Sequence, residues 1–241
     1  MTNFLNKVKV DTTINGNDLS LDELNQLFQP LQFQQRLQLL FELFEEKEIL
    51  ITSSFGTTSA FLLHLLSQVK ERFKVHTVNT GYLFKETLEY KNKLSELLNF
   101  EVAEIDPDPT QHALTTEEKW WNEHPKMCCT INKIVPLEPT IAKHKIWISG
   151  VMAFQNEHRS RQNIFEQSGD TIKFYPLIDI DEGEQLFHIS KYDLPPHPLE
   201  AQGYGSVGCT HCTVKGKGRE GRWATSGKTE CGLHTNHFYK K

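Results

Sequence analysis

The chain has 241 residues, 38% of them hydrophobic and 24% charged, enough to bury one sizeable core with an appendage and no more. Its net charge of −5 argues against nucleic acid as the main partner, and no apolar run is long enough for a signal peptide or a membrane span. The expectation is a cytoplasmic protein whose five cysteines stay reduced, serving metal or catalysis rather than disulfides.

In chain order, residues 1–20 read as an irregular lead-in. "SLDELNQLFQ" reads as a short helix, with Ser20 and Glu23 in capping-box spacing and Pro30 as its stop. "FQQRLQLLFELFEEK" has helical apolar spacing. "EILITSS" then reads as a buried strand, "TSAFLLHLLSQVKERF" as a helix and "KVHTVN" as a strand. "FKETLEYKNKLSELLN" reads as a helix, "FEVAEI" as a strand, "INKIVPLEPTIAKH" as helical at its ends and "KIWISG" as a strand. This alternation predicts an α/β fold with a mainly parallel sheet and helices on both faces. After about residue 190 the pattern gives way to Pro, Gly, Cys and Lys. The expected division is a lead-in and short helix over 1–30, an α/β nucleotide-binding domain over 31–190, and a functional C-terminal segment over 191–241.

Four stretches carry chemistry. "SSFGTTS" (53–59), between a strand and a helix, lets backbone approach an anion at the helix start, and also suits a plain capped turn. It has neither a Walker lysine nor a dinucleotide glycine pattern. "VNTGYLFKET" (78–87) follows the next strand and forms a second wall or a simple turn. Cys128 and Cys129 with Cys209 and Cys212 ("CTHC") make two pairs that suit an iron–sulfur cluster or zinc, and spacing alone leaves both open. Lastly, "REGRWATSGKTECGLH" holds Arg219, Arg222 and the fifth thiol, Cys231. From Cys209 onward five Lys and two Arg face two Glu, a net +5 on a body of −10. Positive surroundings favour the thiolate nucleophile, with Glu230 opposing them locally.

Together, "CCTINKIVPL", "GYGSVGCTHCT", "GREGRW" and "KTECGLH" resemble the assimilatory phosphosulfate reductases, which act on adenylyl sulfate (APS) or its 3′-phosphorylated form (PAPS). The resemblance runs from about Ile49 to His234. It implies a Rossmann-like sheet of the adenine nucleotide alpha-hydrolase (PP-loop) type with a mobile C-terminal tail, and Cys231 as nucleophile. Cys128, Cys129, Cys209 and Cys212 match the ligands of a [4Fe-4S] cluster, which in this family commonly accompanies APS. The loop "SSFGTTS" looks more like that of PAPS users, so PAPS or dual use stays open. Implied substrate contacts are Ser53, Ser54, Phe55, Gly56, Thr57, Thr80, Gly81, Lys133, Arg159, Arg219, Arg222 and His234. Thioredoxin or glutaredoxin is the implied reductant, and a homo-oligomer the implied assembly, with neither nucleic acid nor membrane as partner. Three departures stand out: Asn79 where the family has Asp, Asn132 where it has Arg before Lys133, and Met152–Ala153 where it has paired arginines. The Met152–Ala153 departure motivates the alternative of a non-catalytic nucleotide-binding iron–sulfur protein, which the intact ECGLH opposes. An ATP-using adenylating enzyme on this fold is a further alternative, opposed by the missing SGGxDS-type loop and by the cysteines.

Overall fold

The computed structural model describes residues 9–14, 17–224, 226 and 228–234. The expected lead-in over 1–8, Thr225 and Gly227 of the tail motif, and the lysines at 240 and 241 lie outside them. Where the sequence reads as irregular before residue 20, β1 (Lys9–Ile14) and β2 (Asn17–Ser20) instead pair antiparallel. The Asn-Gly step between them is a strong hairpin signal, and it outweighs the polar composition of the strands.

Ser20 then caps α1 (Leu21–Phe28): its hydroxyl accepts from the Glu23 N–H at 3.3 Å, and its own N–H donates to the Glu23 carboxylate at 2.7 Å. Leu24 and Phe28 of α1 are fully buried in the same core as the body. The chain continues through α2 (Phe33–Leu43), β3 (Ile49–Ile51), α3 (Ser59–Val69), β4 (Lys74–Val78), α4 (Lys85–Leu98) and β5 (Glu101–Ile105). Next come α5 (Pro109–Glu117), α6 (Trp120–Glu123), α7 (Pro125–Cys129), a π-helical turn (Thr130–Ile134) and α8 (Val135–Ile141). Strand β6 (Ile146–Ile148), the hairpin β7 (Phe165–Ser168) and β8 (Thr171–Phe174), and α9 (Glu182–Lys191) complete the body. No described helix is long and apolar enough to cross a membrane.

β3, β6 and β8 run parallel, with β7 antiparallel at the edge, and β4 pairs parallel with β5. A bridge between Thr52 and His76 joins the two groups, giving the order β5-β4-β3-β6-β8-β7. The chain winds one way from β3 to β5 and the other way from β6, so its switch point lies at the carboxyl ends of β3 and β6. That is where open α/β sheets leave a ligand crevice. Alternation sorts the strands' side chains. Ile49, Ile51, Ile146, Ile148, Ile172 and Phe174 join the main core, while Leu50 and Trp147 face the other way, onto Leu137 and Ile141 of α8.

A buried guanidinium clamps the N-terminal helices to this frame. Arg36, 2% exposed, donates to the carbonyls of Phe28, Gln29 and Pro176 at 3.0–3.2 Å and to both carboxylate oxygens of Asp179 at 2.5 and 2.7 Å. Arg36→Met leaves three carbonyls and a carboxylate without their donor. We expect a loss of about 3–5 kcal/mol, read as a fall of roughly 10 °C in thermal unfolding.

Candidate active site

The loop after β3 sits at the switch point. Phe55 adopts a positive φ of 49°, which a bulky residue holds only under constraint, and its ring is 1% exposed, 6.3 Å from the Phe100 ring. The Ser53 hydroxyl accepts the Phe55 N–H at 3.1 Å, and Ser59 N–H closes onto Gly56 at 3.1 Å. Ser54 is left exposed ahead of α3, whose first N–H groups face this crevice's end of the sheet. Thr57 donates to the Gly205 carbonyl at 3.0 Å, tying the C-terminal segment to the loop.

Four thiols converge beside it. Cys128 and Cys129 end α7, and Cys209 and Cys212 flank a short 3₁₀ turn held against Tyr82 by the Thr210 N–H at 2.8 Å. All four line one cavity with Thr80, Tyr82, Trp121, Asn132, Lys133 and His211. The Thr80 hydroxyl lies 3.3 Å from the Cys209 sulfur. Burial, reinforced by the neighbouring thiols, pushes Cys128 up to about 12 and Cys212 up to about 11. Cys129 is also raised, burial outweighing Lys133 and the Lys228 ammonium, which lies 3.2 Å from its sulfur. Among the described residues no three His, Cys, Asp or Glu side chains are grouped closely enough to hold a single metal ion.

The tail docks along the α8 face of the sheet. Leu233 packs on the cluster of Leu50, Leu137, Ile141 and Trp147. The His234 ring is 5.4 Å from the Trp147 ring, with Ser149 Oγ and Tyr175 Oη each 3.4 Å from one of its nitrogens. Burial holds His234 well below the usual histidine range, so it is neutral. Glu230, read from sequence as opposing the local positive charge, is instead embraced by it. Arg159 Nε and Nη2 donate to its two oxygens at 2.5 and 3.1 Å, Asn156 donates at 2.8 Å and Arg219 at 3.4 Å. Burial alone would raise this carboxyl, but Arg159 and Arg219 outweigh it and hold it at about 2. Cys231 is thereby placed, part-buried, within electrostatic reach of Lys133, Lys173 and Arg219.

Gly232 fixes the turn that follows the thiol. Its φ is +101°, and an added Cβ would lie 2.7 Å from the end of the Ile134 side chain. Ile134 can shift, but the backbone strain stays. Gly232→Ala should therefore weaken docking by about 1–3 kcal/mol, roughly five- to 150-fold in the docking equilibrium. Cleavage within the tail by limited proteolysis measures it.

The other sequence-predicted residues fall into two groups. Arg222 donates to the Val207 carbonyl at 2.9 Å and stacks on Trp223, its guanidinium carbon 4.4 Å from the ring centre. The Nε atoms of Arg219 and Arg222 are buried with no hydrogen-bond partner among the described residues. Gly81, at φ +73°, turns the chain against His112. The departures have local causes. Asn79 donates to Glu104 at 3.2 Å, where an aspartate would meet a like charge. Asn132, 2% exposed, donates to Thr115 and the Cys128 carbonyl and meets His112 at 2.8 Å. Met152 is fully buried in the main core, so an arginine there would be buried with it.

Sequence reasoning missed Asn156 and Glu230 as partners of the arginines, and it missed Lys173, Tyr175, Trp147 and Ser149. Lys173 alone left a trace, as a charge in the apolar strand "TIKF".

Comparison with known proteins adds the following. The family model for the phosphoadenosine phosphosulfate reductase domain matches residues 48–215. The chain is 39% identical over 196 residues to an adenosine 5′-phosphosulfate reductase of Bacillus mycoides, covering 78% of this chain and 84% of that one. It is 39% identical over 198 residues to the enzyme of the same name from Bacillus cereus, covering 78% and 85%. In fold it is similar to the phosphoadenylyl-sulfate (PAPS) reductase of Candida auris, with a TM-score of 0.65 at 18% identity over 81% of this chain and 98% of that one. Yeast FAD synthetase shares the fold at a TM-score of 0.55 and 12% identity, over 79% of this chain and 67% of that one.

Proposed function

The chain belongs to the phosphoadenosine phosphosulfate reductase family, and from that premise we propose that it reduces APS to sulfite and AMP through a covalent intermediate on Cys231. The observation that carries this reading is the docked tail: "ECGLH" lies against the carboxyl ends of the strands, its thiol beside Lys133, Lys173 and Arg219. APS, rather than PAPS, is favoured by the names of the Bacillus relatives.

The nucleotide lies across the ends of β3 and β6, its phosphate against Ser53, Ser54, Phe55, Gly56 and Thr57, with Thr80 and Gly81 as the second wall. Lys133 and the unsatisfied Nε donors of Arg219 and Arg222 offer charge-assisted bonds to the phosphosulfate. The Cys231 thiolate attacks the sulfur. A new S–S bond forms, the bond from sulfur to the phosphate oxygen breaks, and AMP leaves with that electron pair. A thiolate of a thioredoxin-type dithiol then attacks Cys231 Sγ. Sulfite departs, and the second thiol of the dithiol resolves the mixed disulfide, restoring Cys231. Neutral His234, held by Tyr175 and Ser149, anchors the end of the docked tail.

A [4Fe-4S] cluster fits the donor set. Four thiols surround one cavity, and their mutual repulsion as thiolates is what bound iron would relieve. Cys128, Cys129, Cys209 and Cys212 would hold it. When bound it supplies a charged centre beside Lys133 that tunes the phosphosulfate pocket. Asn132 bonds the Cys128 carbonyl and Thr80 lies against the Cys209 sulfur, so both would frame it.

The test is sulfite release by anaerobically purified protein with thioredoxin, from APS and PAPS separately. APS should be preferred at least about tenfold in kcat/KM, a difference of 1.4 kcal/mol. Sulfite from PAPS alone would reassign the substrate. Nucleotide binding without sulfite from either would leave only the non-catalytic reading.

A further inference from the structure

We infer that Lys173 is a further positioning residue for the sulfur transfer, its buried ammonium stabilising negative charge at Cys231 when the tail docks. The inference rests on the Cys231 reading above, but its test does not use the reductase reaction.

Lys173 occupies β8 opposite Trp147 of β6 and Glu166 of β7. Its neighbours Ile172 and Phe174 enter the main core, so alternation turns it to the α8 face, where the tail docks. The residue is only 3% exposed. Its ammonium lies 5.2 Å from the centre of the Trp147 ring, the ring that His234 also meets. Trp147 is itself fixed by its indole N–H, donated to Thr52 at 2.7 Å where the phosphate loop begins. Among the described residues the Lys173 ammonium makes no hydrogen bond or ion pair. The charged and titratable groups facing it are Glu166 from β7 and Cys231 and His234 from the tail, while β6 offers only the Trp147 ring. Glu166 is already engaged, accepting the Asn163 N–H and side-chain amide at 2.6 and 3.0 Å. His234 is neutral. The Asn163 bonds use one Glu166 oxygen, and its carboxylate still attracts the ammonium; Cys231 is the second anion, the one that the docked tail brings.

Burial is costly for an unpaired ammonium, and it lowers Lys173 to about 8. The sign follows. The unfolded lysine holds its proton to a higher pH than the folded one, so the charge destabilises the fold fully below pH 8, and this cost fades as pH rises from about 8 to the ordinary lysine value.

The test is site-resolved alkylation of Cys231 by iodoacetamide, read by mass spectrometry of its peptide between pH 6 and 9. Lys173→Met should slow Cys231 alkylation roughly three- to tenfold at pH 7 and move its pH profile upward, whereas Lys173→Arg should restore it. Lys173→Met should also unfold at a temperature no lower than the parent protein. An unchanged Cys231 profile in a folded Lys173→Met protein overturns the inference, as does a lowered unfolding temperature with no rescue by arginine. If Lys173→Met does not fold, the reverse measurement decides. Acylation of Lys173 followed against pH should shift to lower pH in Cys231→Ser, and an unchanged profile overturns the proposal.

Discussion

Cys231→Ser should reduce sulfite formation by at least about 10³-fold while leaving the fold and nucleotide binding intact. The size follows from the chemistry, since a serine hydroxyl at neutral pH is not a nucleophile in this setting and cannot accept the sulfonate and release it to a thiol. Three of the other thiols are poor substitutes in the metal-free chain. Burial pushes Cys128 up to about 12 and Cys212 up to about 11, and raises Cys129 as well. Preservation of the fold follows from the contacts. Docking is carried by Glu230, Leu233 and His234, and Cys231 contributes only a part-buried side chain. The unfolding temperature should move by no more than about 2 °C, as for a change outside the core. Incubation with labelled substrate and no reductant should leave sulfonate on the parent protein at residue 231 and none on the variant. Sulfite production surviving above a tenth of the parent rate would remove Cys231 from the mechanism.

How far this was legible beforehand varies by element. β3, β4 and β6 announced themselves as short apolar runs between helical patterns, and α1 by its capping box, because each signal lies within a few residues. The antiparallel pairing of β1 and β2 reads from sequence as an irregular lead-in, because the sequence of both strands is polar. β7 and β8 are four residues each, too short for their alternation to stand out, and are not read from sequence. In the site, thiols declare their chemistry by residue type, so all five stood out. What no local pattern encodes is partnership across the fold. Arg159 and Glu230 are 71 residues apart, and sequence could present one only as a phosphosulfate contact and the other only as an unwelcome charge. Lys173 draws no reading at all, because the surface that covers it is the tail itself.

That long-range pair governs the second large effect. Glu230→Gln should undock the tail, lowering kcat/KM about 10²-fold with Cys231 intact. Glu230 is buried, its side chain 3% exposed, against Arg159 at 10% and Arg219 at 16%. Replacing the carboxylate with an amide leaves two guanidiniums facing one another in a site that already lowers Arg219 to about 10 through burial and Arg159. Removing one member of a buried charged cluster costs about 3–5 kcal/mol. Here that cost falls on docking, because the tail leaves the site more cheaply than the arginines can. Trypsin should therefore cut near Lys228 faster in the variant, while the global unfolding temperature falls less than it does for Arg36→Met. Acid should mimic the substitution. The docked carboxyl sits at about 2 against an ordinary value of 4.5, so its contribution is complete above pH 4.5 and is lost as pH falls toward 2. The difference in docking between parent and Glu230→Gln should shrink by roughly 3 kcal/mol across that window, in proteolysis or tail-label fluorescence. A constant difference from pH 5 to pH 2 would mean that the tail is held by Leu233 and His234 alone, with the arginines free for substrate at every pH.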